Sequence, residues 1–138
     1  MRLEVIIDLI LHATENREKV VEVLENVFKI EQKVFQIQEV SGHFNNPILL
    51  ITSLLKKSNA QNFIKIFFSE MKKEDFNDIY QNIDEYLASS GLNLRISKQK
   101  LILKEIIISK EDAIKINIST PVYVKNQTKK IYRDLMKV

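Results

Sequence analysis

The side chains that most often carry catalysis or bind metal ions are scarce in this sequence. Its 138 residues include no cysteine and only two histidines, His12 and His43. A metal site at either histidine would need carboxylates such as Asp8 or Glu15 as further ligands, and a lone histidine at a strand end is more often structural. The two glycines exclude glycine-rich nucleotide-binding loops, and no serine lies in a nucleophile elbow.

Paired carboxylates for acid–base catalysis stay open, because any two surface acids can meet in a fold. Nothing in the spacing of the 18 Asp and Glu residues indicates such a pair. The sequence therefore predicts a protein that is not an enzyme and that needs no metal and no cofactor.

The stretch SGHFNNPILL, residues 41–50, is the best candidate for a contact surface. A glycine allows close backbone approach, aromatic rings can stack on nucleobases, and amides can form hydrogen bonds with them. These residues are Gly42, His43, Phe44, Asn45 and Asn46. The competing interpretation is a plain turn, because Asn followed by Pro is a common turn pair and Phe44 can pack into the core.

Positive charge is concentrated in the last third of the chain. Residues 1–94 carry 10 Lys or Arg against 14 Asp or Glu, whereas residues 95–138 carry 11 against 4. Clustered positive charge is typical of a surface that binds a polyanion, most often a nucleic acid. Lysines that only solvate the surface are the alternative.

One α/β domain spanning residues 1–138 is expected to position these side chains. Apolar patterns predict strands at 3–11, 33–40, 47–55, 92–97, 100–108 and 113–118. Helical spacing predicts helices at 14–29, 59–71, 73–89 and 126–137, with Thr14 and Asn59 as N-caps and Gly91 after the third helix. The predicted architecture is a two-layer sandwich with helices packed on a mostly antiparallel sheet.

The composition also predicts a cytoplasmic protein. No apolar run approaches the roughly 20 residues that span a bilayer. Glu4 and Asp8 interrupt the N-terminal apolar segment, where a signal peptide would be apolar throughout. The absence of cysteine excludes disulfide bonds.

Four sequence blocks, taken in order, resemble one archaeal family. They are HATENREKV at 12–20, SGHFNNPI at 41–48, LNLRISKQ at 92–99 and DAIKINI at 112–118. The family consists of predicted RNA-binding proteins associated with the archaeal exosome. The resemblance implies a fold like double-stranded RNA-binding domains, or like the L-five type of ribosomal protein. It also implies a non-catalytic accessory or adaptor role in RNA processing or degradation.

The resemblance further implies which residues form the motifs. Those of the first block are Thr14, Glu15 and Lys19; those of the loop are Gly42, His43, Asn46 and Pro47; those of the basic strand end are Arg95, Lys98 and Gln99. Two departures stand out. Asn45 replaces a glycine of the family pattern, although asparagine tolerates a left-handed backbone. KQKLIL replaces the small residues and glycine that usually follow the glutamine.

RNA binding needs cations that replace the counterions condensed on the phosphates. The candidates are Arg95, Lys98 and Lys100, beside Gln99 at a strand end, and Lys129, Lys130 and Arg133 on the last helix. The last three are expected on the side of the helix away from Ile131 and Leu135.

Two other functions remain compatible with the sequence. An acidic first helix, with Glu15, Glu18, Glu22 and Glu25, suits a protein–protein adaptor that docks a basic partner. A helix N-terminus such as that at Thr14 suits a small-anion site. Expected partners are RNA, an exosome- or ribosome-related complex and, through an edge strand such as 33–40, a second copy of the chain. No membrane partner is expected.

Overall fold

The computed structural model describes residues 2–12, 14–41, 46–111 and 113–137. The strands are β1 (Glu4–Leu11), β2 (Phe35–Ser41), β3 (Pro47–Lys56), β4 (Leu87–Ala88), β5 (Gly91–Ser97) and β6 (Ala113–Ser119). The α-helices are α1 (Arg17–Phe28), α2 (Lys57–Glu70), α3 (Lys73–Gln81), α4 (Lys98–Ile102) and α5 (Thr128–Met136). Short 3₁₀ turns lie at Gln32–Val34, Ile83–Glu85 and Lys125–Gln127.

The six strands form one sheet in the order β2-β3-β1-β6-β5-β4, and neighbouring strands are antiparallel. Strand β1 lies inside the sheet, with β3 on one side and β6 on the other, whereas β2 and β4 are the edges. Helices packed on an antiparallel sheet are what the sequence predicted, so the fold class is confirmed.

The helices cover one face of the sheet. In β1 the side chains of Val5, Ile7 and Leu9 are buried, whereas Asp8 and Ile10 are exposed. Strands β5 and β6 alternate in the same way. Because successive side chains of a strand point to opposite faces, the buried set marks the face that packs against the helical layer.

The opposite side of the sheet, which we call the open face, is formed by the alternate residues. Its members include Ile6, Asp8, Ile10, Gln36, Leu50, Thr52, Leu54, Asn93, Arg95, Lys115 and Asn117.

Phenylalanine rings join α1 to α2 in the core. The ring centroids of Phe28 and Phe63 are 4.8 Å apart, and those of Phe63 and Phe67 are 5.3 Å apart. Burying such a ring stabilises the fold by about 1.5–3 kcal/mol relative to leaving it in water. The helical pattern that assigned Phe63, Ile64 and Phe67 to the buried side of the second helix is confirmed.

The predicted strand at 100–108 is wrong. This segment begins inside α4, because the Ser97 side chain accepts a hydrogen bond from the Lys100 backbone N–H at 3.1 Å and caps that helix. Among the described residues, the part of the segment after α4 makes isolated bridges, at Ile106 and Ile108, and forms no strand. The local cap therefore overrode the apolar pattern.

The predicted capping residues of the first two helices are also wrong. Asn16, not Thr14, caps α1, since its Oδ1 accepts a hydrogen bond from the Lys19 backbone N–H at 3.1 Å. Helix α2 begins at Lys57, so Asn59 lies inside its first turn rather than before it. Both helices are nevertheless present where the spacing predicted them.

The third predicted helix is too long. Helix α3 ends at Gln81, and the chain then passes through a 3₁₀ turn into β4. That turn keeps Ile83 on the buried side, so the apolar spacing continues although the α-helix does not. Gly91 begins β5 instead of ending a helix. The last helix, α5, agrees within two residues with the predicted 126–137.

Gly91 supplies a direct test of the β5–β6 pairing. Its φ is +121°, and an added Cβ would lie 2.3 Å from the Ile118 carbonyl oxygen. We expect Gly91→Ala to lower the free energy of unfolding by about 3 kcal/mol, because strain and the backbone clash add together. Denaturant unfolding measures the loss. Ser89→Ala, in the exposed turn before it, is the control and should stay within about 0.5 kcal/mol of wild type; equal losses would contradict the prediction.

Candidate functional site

The ammonium group of Lys98 is buried. Only 2% of its side chain is exposed, and Nζ lies 2.8 Å from Glu15 Oε1 and 2.7 Å from the Ile10 carbonyl oxygen. Glu15 Oε1 also accepts a hydrogen bond from the His12 backbone N–H at 3.0 Å. This network ties the end of β1 and the approach to α1 to the start of α4.

The network changes the interpretation of the basic strand end. Lys98 was expected to contact phosphate, but its burial and its bonds to Ile10 and Glu15 argue against that role. Glu15 and Lys98 belong to different blocks of the family resemblance, so the structure brings these blocks together as an internal ion pair. Thr14 and Lys19, from the same block as Glu15, are exposed.

The cations of α5 differ in their surroundings. Arg133 donates a hydrogen bond from Nε to the Tyr80 carbonyl oxygen at 2.8 Å, and its guanidinium lies 5.5 Å from the centre of the Tyr80 ring. Lys129 forms a surface ion pair with Asp84 at 2.7 Å. Lys130 is exposed. Arg133 therefore fixes α5 to α3, whereas Lys129 and Lys130 face solvent.

The predicted basic residues do not form one continuous patch. Arg95 alternates with the buried Leu94 and Ile96, so its side chain lies on the open face. Helix α5 packs against α2 in the helical layer, on the other side of the sheet. Gln99 and Lys100 are exposed on α4. The cation at the strand end and those of the last helix are thus separated by the thickness of the sheet.

Most of the predicted contact loop lies outside the described residues. This applies to Gly42, His43, Phe44 and Asn45, whose role stays a prediction. Asn46 is exposed immediately before β3. Ser41 and Pro47 are paired at the end of the β2–β3 ladder, so the loop connects these two strands.

A row of polar side chains crosses the open face. By strand register it runs from Gln36 in β2 through Thr52, Asp8 and Lys115 to Arg95 in β5. Thr52 Oγ1 donates a hydrogen bond to Asp8 Oδ1 at 2.9 Å. Like charges directly opposite each other destabilise a sheet, so the Arg95–Lys115 pair opposes folding and favours a bound anion.

Two adjoining clefts, of about 450 and 420 Å³, open along this row. Both are lined by the same four charged residues, which we call the charged cluster: Asp8, Arg95, Lys110 and Lys115. All four side chains are exposed. The cluster therefore offers three cations and one carboxylate to a ligand on the open face.

The larger cleft also has a polar and aromatic wall. Asn117 Nδ2 donates to Asn93 Oδ1 at 2.7 Å, and the Tyr86 hydroxyl donates to Asp78 Oδ2 at 2.5 Å. Burial, together with the bond to Asp78, raises the pKa of Tyr86 to about 12. Hydrogen bonds from Tyr86 and then Asn82 hold the pKa of Asp78 below its ordinary value. The Tyr86 ring is thus held in place as a neutral phenol.

Sequence reasoning identified Arg95 but missed Asp8, Lys110 and Lys115 as its neighbours. Arg95 and Lys115 each alternate with apolar residues along the sequence, and this alternation places both on the polar sides of their strands. The missing information was that β6 pairs with both β5 and β1, which brings these polar sides together.

The described ranges contain neither a metal-binding cluster nor a membrane-spanning helix. No group of three or more His, Asp or Glu side chains there could hold a metal ion. No helix in that part of the chain combines the length and the apolar character needed to cross a bilayer. The longest, α2, has 14 residues.

Comparison with known proteins decides the family. A family model described as RNA binding matches residues 4–120, a range that includes β1 to β6 and ends before α5. The RNA-binding protein PAB1135 of Pyrococcus abyssi is 33% identical over 120 residues, which cover 82% of this chain and 78% of the relative. The chain belongs to this RNA-binding family.

Solved structures share the fold of this family member. A protein from Archaeglobus fulgidus has a TM-score of 0.79 and 25% identity, covering 98% of this chain and 99% of the other. A protein from Sulfolobus solfataricus has a TM-score of 0.77 and 22% identity, covering 97% and 98%. The RNA-binding part of the resemblance is confirmed at the level of the family; exosome association and likeness to double-stranded RNA-binding domains stay predictions.

The buried pair predicts unequal effects of removing its two members. Glu15→Ala should lower the free energy of unfolding by about 3 kcal/mol, because it removes a carboxylate that accepts a hydrogen bond from the buried Lys98 ammonium. Lys98→Met should cost only about 1 kcal/mol, because Glu15 is partly exposed and can be hydrated. Denaturant unfolding measures both, with the exposed Lys100→Met as control. Equal costs for the two substitutions would refute this asymmetry.

The raised pKa of Tyr86 predicts that its phenol loses its proton only at high pH. The ultraviolet difference between wild type and Tyr86→Phe should titrate with a midpoint at about 12, against about 10 for an unperturbed tyrosine. Because the pKa in the folded state is the higher one, the stability from this group is complete below about pH 10 and is lost as the pH rises towards 12. A difference signal centred at pH 10 would show that the hydroxyl is not held by Asp78.

Proposed function

We propose that this protein binds RNA through phosphate contacts on the open face and carries out no reaction on it. The observation that carries the proposal is the convergence of Arg95, Lys110 and Lys115 on two adjoining clefts of the uncovered side of the sheet. Cations that displace condensed counterions supply most of the affinity of such contacts. Membership of the RNA-binding family supports RNA as the polyanion.

The open face is a better candidate than the last helix. The family match includes the charged cluster but ends before α5. Within α5, Arg133 is committed to Tyr80 and Lys129 is paired with Asp84. The charged cluster instead places Arg95 directly opposite Lys115, and this repulsion is relieved when phosphate binds.

The finer role in this proposal is that of a cytoplasmic accessory or adaptor protein of RNA processing or degradation, associated with an exosome- or ribosome-related complex. The four sequence blocks that resemble exosome-associated proteins support it. A homodimer is part of the same proposal. Its support is the edge position of β2, where a second copy could continue the sheet.

Salt-dependent binding of fluorescently labelled RNA, measured by anisotropy, tests the RNA surface. We expect the triple variant Arg95→Gln, Lys110→Gln and Lys115→Gln to bind more weakly. The slope of log affinity against log salt should become shallower by about 2, because each lost single-strand phosphate contact contributes about 0.7.

Two further variants make the result decisive. Lys65→Gln, Lys72→Gln and Lys73→Gln together remove the same charge from exposed positions on or beside α2 and α3, and should leave the slope unchanged. Lys129→Gln with Lys130→Gln probes α5. If this pair weakens binding while the open-face variant does not, the RNA lies on the helical layer. Wild type that binds no RNA at low salt refutes the proposed function.

A further inference from the structure

We infer that the larger cleft of the open face takes one unpaired nucleotide of single-stranded RNA, and that Asp8 selects guanine there. This inference rests on the proposed function and adds the class of RNA and the base that the same face recognises.

The arrangement of the cations suits a single nucleotide. Arg95 and Lys115 lie on neighbouring strands, about 4.8 Å apart, and Lys110 lines the same cleft. The cleft measures about 450 Å³, within the range of small-ligand pockets, roughly 300–1,000 Å³. A double-stranded RNA is instead recognised by contacts spread over two successive minor grooves. Cations gathered in one concave site therefore match the phosphate of an unpaired nucleotide.

The Tyr86 ring can hold the base of that nucleotide. The ring lines the cleft, and the hydroxyl at its end donates a hydrogen bond to Asp78, which fixes the position of the ring. Proteins bind single strands by stacking bases on aromatic rings, and this stacking tolerates every base. Tyr86 therefore accounts for binding of an unpaired base, and base selection needs another residue.

Asp8, the carboxylate within the charged cluster, can select the base. Asp8 repels phosphate, so its place between Thr52 and Lys115 in the polar row calls for a ligand that donates hydrogen bonds. An ionised carboxylate only accepts hydrogen bonds, at about four positions, and Thr52 Oγ1 donates to Oδ1. The remaining acceptor capacity suits two N–H donors side by side.

Guanine presents that pattern. Its Watson–Crick edge carries two adjacent N–H donor groups beside the O6 acceptor. Asp8 can accept hydrogen bonds from both donors, since the bond from Thr52 leaves acceptor positions free on its carboxylate. Adenine, cytosine and uracil each present only one N–H donor group on this edge, so they leave an acceptor position of Asp8 unmatched.

Anisotropy titrations with short oligouridines test the inference. The RNAs contain a single central G, A or C, or uridine throughout, and a duplex of the G-containing strand is the fifth ligand. Wild type should bind the G-containing strand about tenfold more tightly than the others, as expected for a good bidentate base contact. It should bind the duplex more weakly than that strand.

Asp8→Asn separates recognition from folding. It should abolish the preference for guanine and at the same time increase affinity for the uridine strand, because a negative charge leaves the phosphate site. A purely structural defect would weaken all ligands alike. Glu85→Gln is the matched control, since it removes an exposed carboxylate from the same cleft. It should raise affinity for every strand without changing the preference.

The outcomes distinguish the two levels of the proposal. If the duplex binds as tightly as the single strands, or if Asp8→Asn keeps the guanine preference, the inference is wrong while RNA binding stands. If wild type binds none of the five ligands at low salt, the proposed function itself fails.

Discussion

Strand β1 is the element on which the rest of the structure depends, because both of its edges and both of its faces are in use. It pairs with β3 and β6, and it buries Val5, Ile7 and Leu9 under the helical layer. A slip of one residue in its register would exchange the two faces. It would place Asp8 in the core and Ile7 on the surface, so one register maintains both the packing and the charged cluster.

The buried ion pair of Glu15 and Lys98 further constrains the end of β1. Lys98 donates to the Ile10 carbonyl oxygen and to Glu15, so a single ammonium joins β1, the approach to α1 and α4. Burying a charge is unfavourable unless hydrogen bonds compensate for the lost water, and the bonds to Ile10 and Glu15 contribute to that compensation. Residues that resemble a recognition motif in the sequence thus have a structural role in this chain.

The open face shows the opposite balance between stability and function. Arg95 and Lys115 repel each other across β5 and β6, and Ile10 and Leu54 leave 46% and 45% of their surfaces in water. Neither feature stabilises the free protein. Both become favourable when a polyanion with flat, apolar bases covers the face, because phosphates neutralise the cations and bases exclude water from apolar groups.

The sequence by itself determined where the longer strands and helices lie and which face of each strand is apolar. Strands β1, β3, β5 and β6 lie within one residue of their predicted bounds, because side-chain alternation depends only on neighbours along the chain. The prediction failed where a local hydrogen bond competed with the apolar alternation, as at Ser97, which caps α4 in a segment predicted to be a strand. Only the tertiary structure decided that Lys98 is buried while Arg95 faces solvent, and that Asp8, Lys115 and Arg95 are neighbours. The apolar periodicity and the charge of a segment can be read from the segment itself. Which side chains are buried, and which ones become neighbours, depends on the pairing of strands that are distant in the sequence.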